Sequence, residues 1–272
     1  MSLAPYDGYP VERSLECLAA AGAVAVEPAF IVGYTKPFDQ SAFSASEASR
    51  WSHDLRKAGL LCHAISAHID LGLDDAVKLF RPRMDFARAI GARIINTNAC
   101  RRDREHRFLS NIAQLARHGE AIGLQIGLEN PGDGEDNVIN LGADGEAVLA
   151  HIASPVVGLN FDSANLASHR PEVDITVNTL QALASCIHYH VKDVTRDADG
   201  WRFVPVGAGD IDQSTILGAL GAYPDLAVSI ELPLRLRRGP DAQPIRTAER
   251  LPLADIEAAV KASLDFVVTR LS

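Results

Sequence analysis

Residues 122–165 read IGLQIGLENPGDGEDNVINLGADGEAVLAHIASPVVGLNFDSAN. Two apolar runs, Leu124–Glu129 and Val156–Asp162, each end in a carboxylate, with a polar loop and a helical stretch between them. Neither run alternates apolar with polar residues, which suits strands covered on both faces. Strand, loop, helix, strand in that order is one unit of a parallel α/β fold.

The same unit recurs in both directions along the chain. Further runs lie at Ser2–Leu3, Val24–Glu27, Leu61–Ser66, Arg93–Thr97, Ile187–Lys192 and Ala227–Leu232. Between them the spacing turns helical: Phe108, Ile112, Leu115, Gly119 and Ile122 form one stripe, as do Ile256, Val260, Leu264, Val267 and Leu271. Pro252 and Asp255 suit the first turn of that last helix. Gly22, Gly59, Gly91 and Gly123 each follow a helical stretch, where a helix ends in a left-handed residue. Eight units in 272 residues is 34 residues per unit, with no linker. This predicts an α/β protein, a single (β/α)8 TIM barrel spanning residues 1–272 as one domain. An open doubly wound sheet would carry a glycine-rich phosphate turn after an early strand. Gly207-Ala208-Gly209 is late and lacks the third glycine.

Hydrophobic residues make up 47% of the chain and charged ones 22%, enough to build a core and too apolar for disorder. The net charge of −9 opposes a general nucleic-acid surface. No run approaches a membrane span, and residues 1–14 lack the basic and apolar regions of a secretory signal. Cys17, Cys62, Cys100 and Cys186 are scattered, so no disulfide framework is expected. A reduced, cytoplasmic protein is the expectation.

Barrel enzymes work at the C-terminal ends of their strands. The polar residues ending the runs are Glu27, His68 and Asp70, Asn96 and Asn98, Glu129, Asp162, His190 and Glu231. Glu129, Asp162, His190 and Glu231 are separated by 33, 28 and 41 residues, one unit each, so they fall on consecutive strands and converge on one mouth. Three carboxylates confined there repel one another and require a cation. Singly, each has a plainer reading, as a helix cap, an ion pair or a hydrogen-bonded core histidine. Oxygen-rich ligands with one imidazole suit Mn²⁺, Mg²⁺ or Co²⁺, with Zn²⁺ next. Glu27, His68, Asn96 and Asn98 are read as substrate-binding. Lys192 reaches the substrate if its strand ends at His190, and turns away if the strand continues.

The segments ENP, FDSAN, HVKDV, PVGAGDID and IELP, in this order, resemble the xylose isomerase-like superfamily of sugar isomerases and epimerases over nearly the whole chain. Inosose dehydratase, ketose 3-epimerases and hydroxypyruvate isomerase belong to it, with endonuclease IV as a distant relative. The resemblance implies a divalent metal on Glu129, Asp162, His190 and Glu231, with Glu129 and Glu231 also acting as acid and base. It implies second-layer substrate contacts from Glu135 and Arg196. The epimerase branch often has a histidine three residues after the metal aspartate; here that position is Asn165.

The chemistry fits independently. Removing a proton beside a carbonyl creates an enediolate, which a metal stabilises while one carboxylate takes the proton and another returns it. Return to the same carbon epimerises, return to its neighbour isomerises, and loss of a β-hydroxyl dehydrates. The function expected is a metal-dependent isomerase or epimerase of a small sugar, keto sugar or sugar acid. The alternative is a dehydratase of an inosose-like or dehydroshikimate-like ketone, and more distantly an endonuclease IV-like repair enzyme.

Two loops hold arginines: Arg101, Arg102 and Arg104 after the fourth strand, and Arg235, Arg237 and Arg238 after the eighth. They bind a substrate carboxylate or phosphate, Arg235 foremost, or else pair with Asp103, Glu105 and Asp241. Residues 235–251 show neither strand nor helix pattern and read as a lid or a subunit contact. The partners expected are a small carbohydrate, anionic if an arginine holds it, and a second copy of the chain if those loops form an interface. Asp133, Glu135 and Asn137 do not make a calcium loop, because Val138 and Asp144 stand where glycine and glutamate are needed. Ser163 has no nucleophile elbow around it.

Overall fold

The computed structural model describes residues 1–271. In chain order its strands are β1 (Ala25–Val26), β2 (Ala29–Phe30), β3 (Leu61–Cys62), β4 (Ala64–Ala67), β5 (Ile94–Asn98), β6 (Gln125–Glu129), β7 (Val157–Asp162), β8 (Cys186–Val191), β9 (Asp193–Asp197), β10 (Gly200–Val204), β11 (Ala227–Ile230), β12 (Leu236–Arg238) and β13 (Pro244–Arg246). Its α-helices are α1 (Val11–Ala20), α2 (Ala45–Ala58), α3 (Ala76–Ala89), α4 (Glu105–Ile122), α5 (Asp144–Ile152), α6 (Ser163–His169), α7 (Ile175–Ala182), α8 (Gln213–Leu220) and α9 (Leu253–Leu271).

The parallel order β11-β8-β7-β6-β5-β4-β2 follows the chain, with β1 and β3 paired beside it. The first predicted strand is a single bridging residue that closes the ring. Ser2 donates its N–H to Ile230 O at 2.8 Å and pairs with Glu27 on the other side. The fold is therefore an α/β barrel. β7 is buried along its whole length, as its unbroken apolar run requires.

The helices cover the outside through the faces their spacing predicts. Phe108, Ile112 and Leu115 of α4 are fully buried, as are Ile256 and Val260 of α9. Gly59 and Gly123 end α2 and α4 at φ +70° and +66°, the left-handed conformation that glycine adopts without a side-chain clash. None of these helices is long and apolar enough to cross a membrane.

One expectation fails. Residues 235–251 are not patternless: β12 and β13 join β9 and β10 in an antiparallel sheet ordered β13-β12-β10-β9. Trp201 pairs with Arg238 and Arg238 with Pro244. These short strands are held by long-range pairing and have no internal periodicity to show. The sheet is built from segments following β8 and β11, so it stands beside the C-terminal mouth.

Candidate active site and metal centre

The mouth opens into a cavity of about 440 Å³ lined in part by Tyr34, His68, Asn98, Glu129, Asn165, Lys192, Glu231 and Arg238. Glu129 ends β6 and Asp162 ends β7. The registers pair Glu129 with Asn160, and Asp162 with His190. Asn130 locks this arrangement by bonding both the N–H and the C=O of Asp162, at 2.8 and 2.9 Å. Asp162 serves two ends at once. Its Oδ1 caps α6 by accepting the Asn165 N–H at 2.9 Å, and its Oδ2 accepts Lys192 Nζ at 2.9 Å. The capping reading and the ligand reading of this residue are compatible, because they use different oxygens.

Glu129, Asp162, His190 and Glu231 come together with one ligand atom each, all within 4.8 Å of one another, every residue buried. His190 Nδ1 lies 3.5 Å from Glu129, 3.8 Å from Glu231 and 3.9 Å from Asp162. Burial alone would lower the pKa of His190, but Glu27, Glu129 and Glu231 raise it well above the usual imidazole value. Burial likewise opposes charge on Glu129, yet His190 and His68 bring its pKa well below the usual carboxylate range. Asp162 goes the other way: burial raises it, Lys192 opposes the rise, and Glu129 and Glu231 add to it.

The donor set fits a divalent cation. Ligand bonds of about 2.0–2.3 Å place opposite donors at most about 4.6 Å apart, matching this spread. Glu27, Glu129, Asp162 and Glu231 are four buried carboxylates, and among the described residues Lys192 is the lysine or arginine that bonds them, so the cluster holds more acidic than permanently basic groups. Lys192 Nζ lies 2.6 Å from Glu231 and 2.9 Å from Asp162 and shares those oxygens with any cation. Strand β8 runs one residue past His190, to Val191, and Lys192 just beyond it faces the cavity.

The other candidates divide by position. His68, Asn98, Asn165 and Lys192 face the cavity. Glu27 and Asn96 do not: they lie in the barrel interior, where Glu27 accepts from Ser66 Oγ and Asn96 Nδ2 at 2.7 and 3.0 Å. Glu135 pairs with Arg101 at the surface. Arg196 is exposed, with its guanidinium 4.9 Å from the Trp201 ring. Arg235 is buried against Asp7 at 3.0 Å, away from the cavity. None of these three lines the cavity, because nearer partners hold them. Of the other arginines, Arg102 bonds Asp136, Arg104 bonds Asp70 and Arg237 bonds the Asp199 carbonyl. The partners imagined from sequence neighbours, Asp103, Glu105 and Asp241, are not the ones used. Cys100 is buried.

Asn160 and His188 were missed. Asn160 donates to Glu129 Oε2 at 2.9 Å, and His188 Nδ1 lies 2.8 Å from Asn160 Oδ1. Each stands two residues before a candidate ligand, on the same inward face of its strand, so strand parity alone could have found them. Gly127 leaves room for this layer: a Cβ there would lie 2.3 Å from Asn96 Oδ1.

Fold and site together define an α/β barrel with a buried acidic and histidine cluster at its C-terminal mouth. The family model of the xylose isomerase-like TIM barrels matches residues 15–262, and the chain belongs to that family. Among solved structures it resembles an L-ribulose 3-epimerase at 19% identity, TM-score 0.73, covering 100% of this chain and 93% of that one. It resembles a D-psicose 3-epimerase from Clostridium cellulolyticum H10 with D-tagatose at 15% identity, TM-score 0.75, covering 97% and 94%. A xylose isomerase-like TIM barrel protein from Mycobacterium smegmatis in complex with magnesium matches at 18% identity, TM-score 0.71, covering 97% and 91%. At these identities the likeness is one of fold. No curated protein sequence matches the chain.

Proposed function

We propose that this chain is a divalent-metal-dependent isomerase or epimerase of a small sugar, keto sugar or sugar acid. The observation that carries the reading is the convergence of Glu129, Asp162, His190 and Glu231 on one point, with Glu129 and Glu231 lining the cavity. Those four residues would hold Mn²⁺, Mg²⁺ or Co²⁺, with Zn²⁺ as the fallback. Such a cation, when bound, supplies stabilisation for negative charge growing on a carbonyl oxygen beside the carbon that loses its proton.

The side chains supply the proton chemistry. Glu129 accepts from Asn160 Nδ2 and Asn165 Nδ2, both at 2.9 Å, with His68 Nε2 3.1 Å away, and stays ionised as a base must. Glu231 follows β11, and β7 and β8 stand between it and Glu129, so the two carboxylates approach a substrate from different sides of the mouth. One takes a proton and the other returns one. Return to the same carbon inverts it; return to the neighbouring carbon moves the carbonyl. Similarity to two epimerases and to a magnesium-bound relative supports the reading.

The test is metal analysis followed by incubation with ketoses, keto acids and inososes in deuterated water. Deuterium uptake without loss of water supports the proposal. Loss of water makes the protein a dehydratase, and neither change with any substrate class overturns the proposal.

A further inference from the structure

We propose that the substrate is a carboxylated sugar whose carboxylate is held by Arg238, an inference that rests on the reading of the mouth as the substrate site. Of the six arginines on the two mouth loops, Arg101, Arg102, Arg104 and Arg235 pair with carboxylates. Arg237 is turned to the Asp199 carbonyl. Arg238 alone among the six lines the cavity. It is 2% exposed and has no carboxylate partner among the described residues.

Its neighbours are neutral. Nη1 donates to Ala242 O at 3.1 Å, Nη2 donates to Asn165 Oδ1 at 3.3 Å and to the Tyr34 hydroxyl, and Nε has no partner. A buried cation with a free N–H is costly unless an anion completes it. Gly132 lets the guanidinium sit where it does: a Cβ there would lie 2.4 Å from Nη2 and 2.8 Å from Nε, so any larger residue would push Arg238 out of its place beside the cavity.

The strands β12 and β13 place this guanidinium over the mouth. Asn165 connects it to the chemistry, since its Nδ2 donates to Glu129 Oε1 at 2.9 Å while its Oδ1 accepts from Arg238 and Lys192. An imidazole, with one acceptor nitrogen at most, could not serve two cations and Glu129 together. Asn165 thus fits a site with an arginine beside it. The charge count selects a carboxylate over a phosphate. One unpaired guanidinium balances a monoanion, and the lining acid Asp133 opposes further negative charge.

The experiment titrates D-fructose, D-fructuronate and D-fructose 6-phosphate into the Mn²⁺-loaded protein by calorimetry. The wild type should bind D-fructuronate at least about tenfold more tightly than D-fructose, as a charge-assisted bond to a buried group allows. Arg238→Met should erase that preference, weakening D-fructuronate by at least about tenfold more than D-fructose. Gly132→Ala, whose backbone is not left-handed, should weaken D-fructuronate selectively and serves if Arg238→Met does not fold. No preference in the wild type, a preference kept in both variants, or phosphate binding tightest overturns the proposal. Deuterium exchange on the same three sugars separates the two readings. Exchange on D-fructose without carboxylate preference removes only the arginine subsite; carboxylate preference without exchange removes only the isomerase reading.

Discussion

Glu27 and His190, 163 residues apart in the chain, lie 3.1 Å apart in the barrel interior, the Glu27 carboxylate facing the imidazole Nε2. An anionic acceptor on that side keeps the proton on Nε2, and Nδ1 is the atom facing Glu129, Asp162 and Glu231. A carboxylate behind a ligating histidine both orients the ring and raises its basicity.

Glu27→Gln should therefore weaken Mn²⁺ binding by about tenfold to a hundredfold while preserving the fold, since it keeps the shape of the side chain. Calorimetric titration of the metal-free protein measures this. The ¹⁵N shifts of His190 in the same sample should show a changed tautomer balance. Unchanged affinity would reduce Glu27 to a packing residue.

Glu129→Gln and Glu231→Gln should each lower turnover by about 10²–10⁴-fold, the usual contribution of a positioned acid or base. Metal content must be measured beside turnover, because both residues are also candidate ligands. A variant that retains metal and near-native turnover would remove its glutamate from the acid–base pair.

Lys192 shares Asp162 and Glu231 with any bound cation. Like charges repel, so Lys192→Met should raise Mn²⁺ affinity by about tenfold, equivalent to about 1.4 kcal/mol. Turnover should fall, since Glu231 loses its 2.6 Å partner. Weaker metal binding in this variant would mean that Lys192 organises the carboxylates more than it competes for them.

His169 gives a pH dependence with a definite sign. It lies under the loop after β6, where its Nδ1 accepts the Gly134 N–H at 3.2 Å and its Nε2 sits 2.9 Å from Asn140 Oδ1. Burial, with help from Arg170 and against the pull of Asp133, lowers its pKa from 6.5 to about 4. Between those values the unfolded chain binds a proton that the folded chain refuses, so stability is lost as pH falls from 6.5 towards 4. The loss amounts to about 2–3 kcal/mol for this residue. Urea unfolding of wild type and His169→Gln should show the wild-type advantage at pH 7.5 shrinking by that amount at pH 4. A constant difference would refute the assignment.

Much of the barrel was legible in the sequence because its signals are local. An apolar run ending in a carboxylate marks a doubly covered strand reaching the mouth, as at Leu124–Glu129 and Val156–Asp162. Phe108, Ile112 and Leu115 show the face that α4 buries. The one-unit spacing of Glu129, Asp162, His190 and Glu231 brings them to neighbouring strand ends, where the structure gathers them.

Short apolar patterns and their one-unit spacing thus reveal the order of the units, the ends of the helices and the clustering of Glu129, Asp162, His190 and Glu231. Long-range packing sets the rest: Ser2 bridges Ile230 and Glu27, residues 236–246 pair as strands, and Glu27 stands behind His190. It also decided which arginine stays free. Arg235 and Arg238 are three residues apart on one short segment, yet one is bound to Asp7, 228 residues away, and the other lines the cavity. The reason is physical: a charged side chain takes whichever partner folding brings within hydrogen-bond reach, and that partner is set by how distant segments pack.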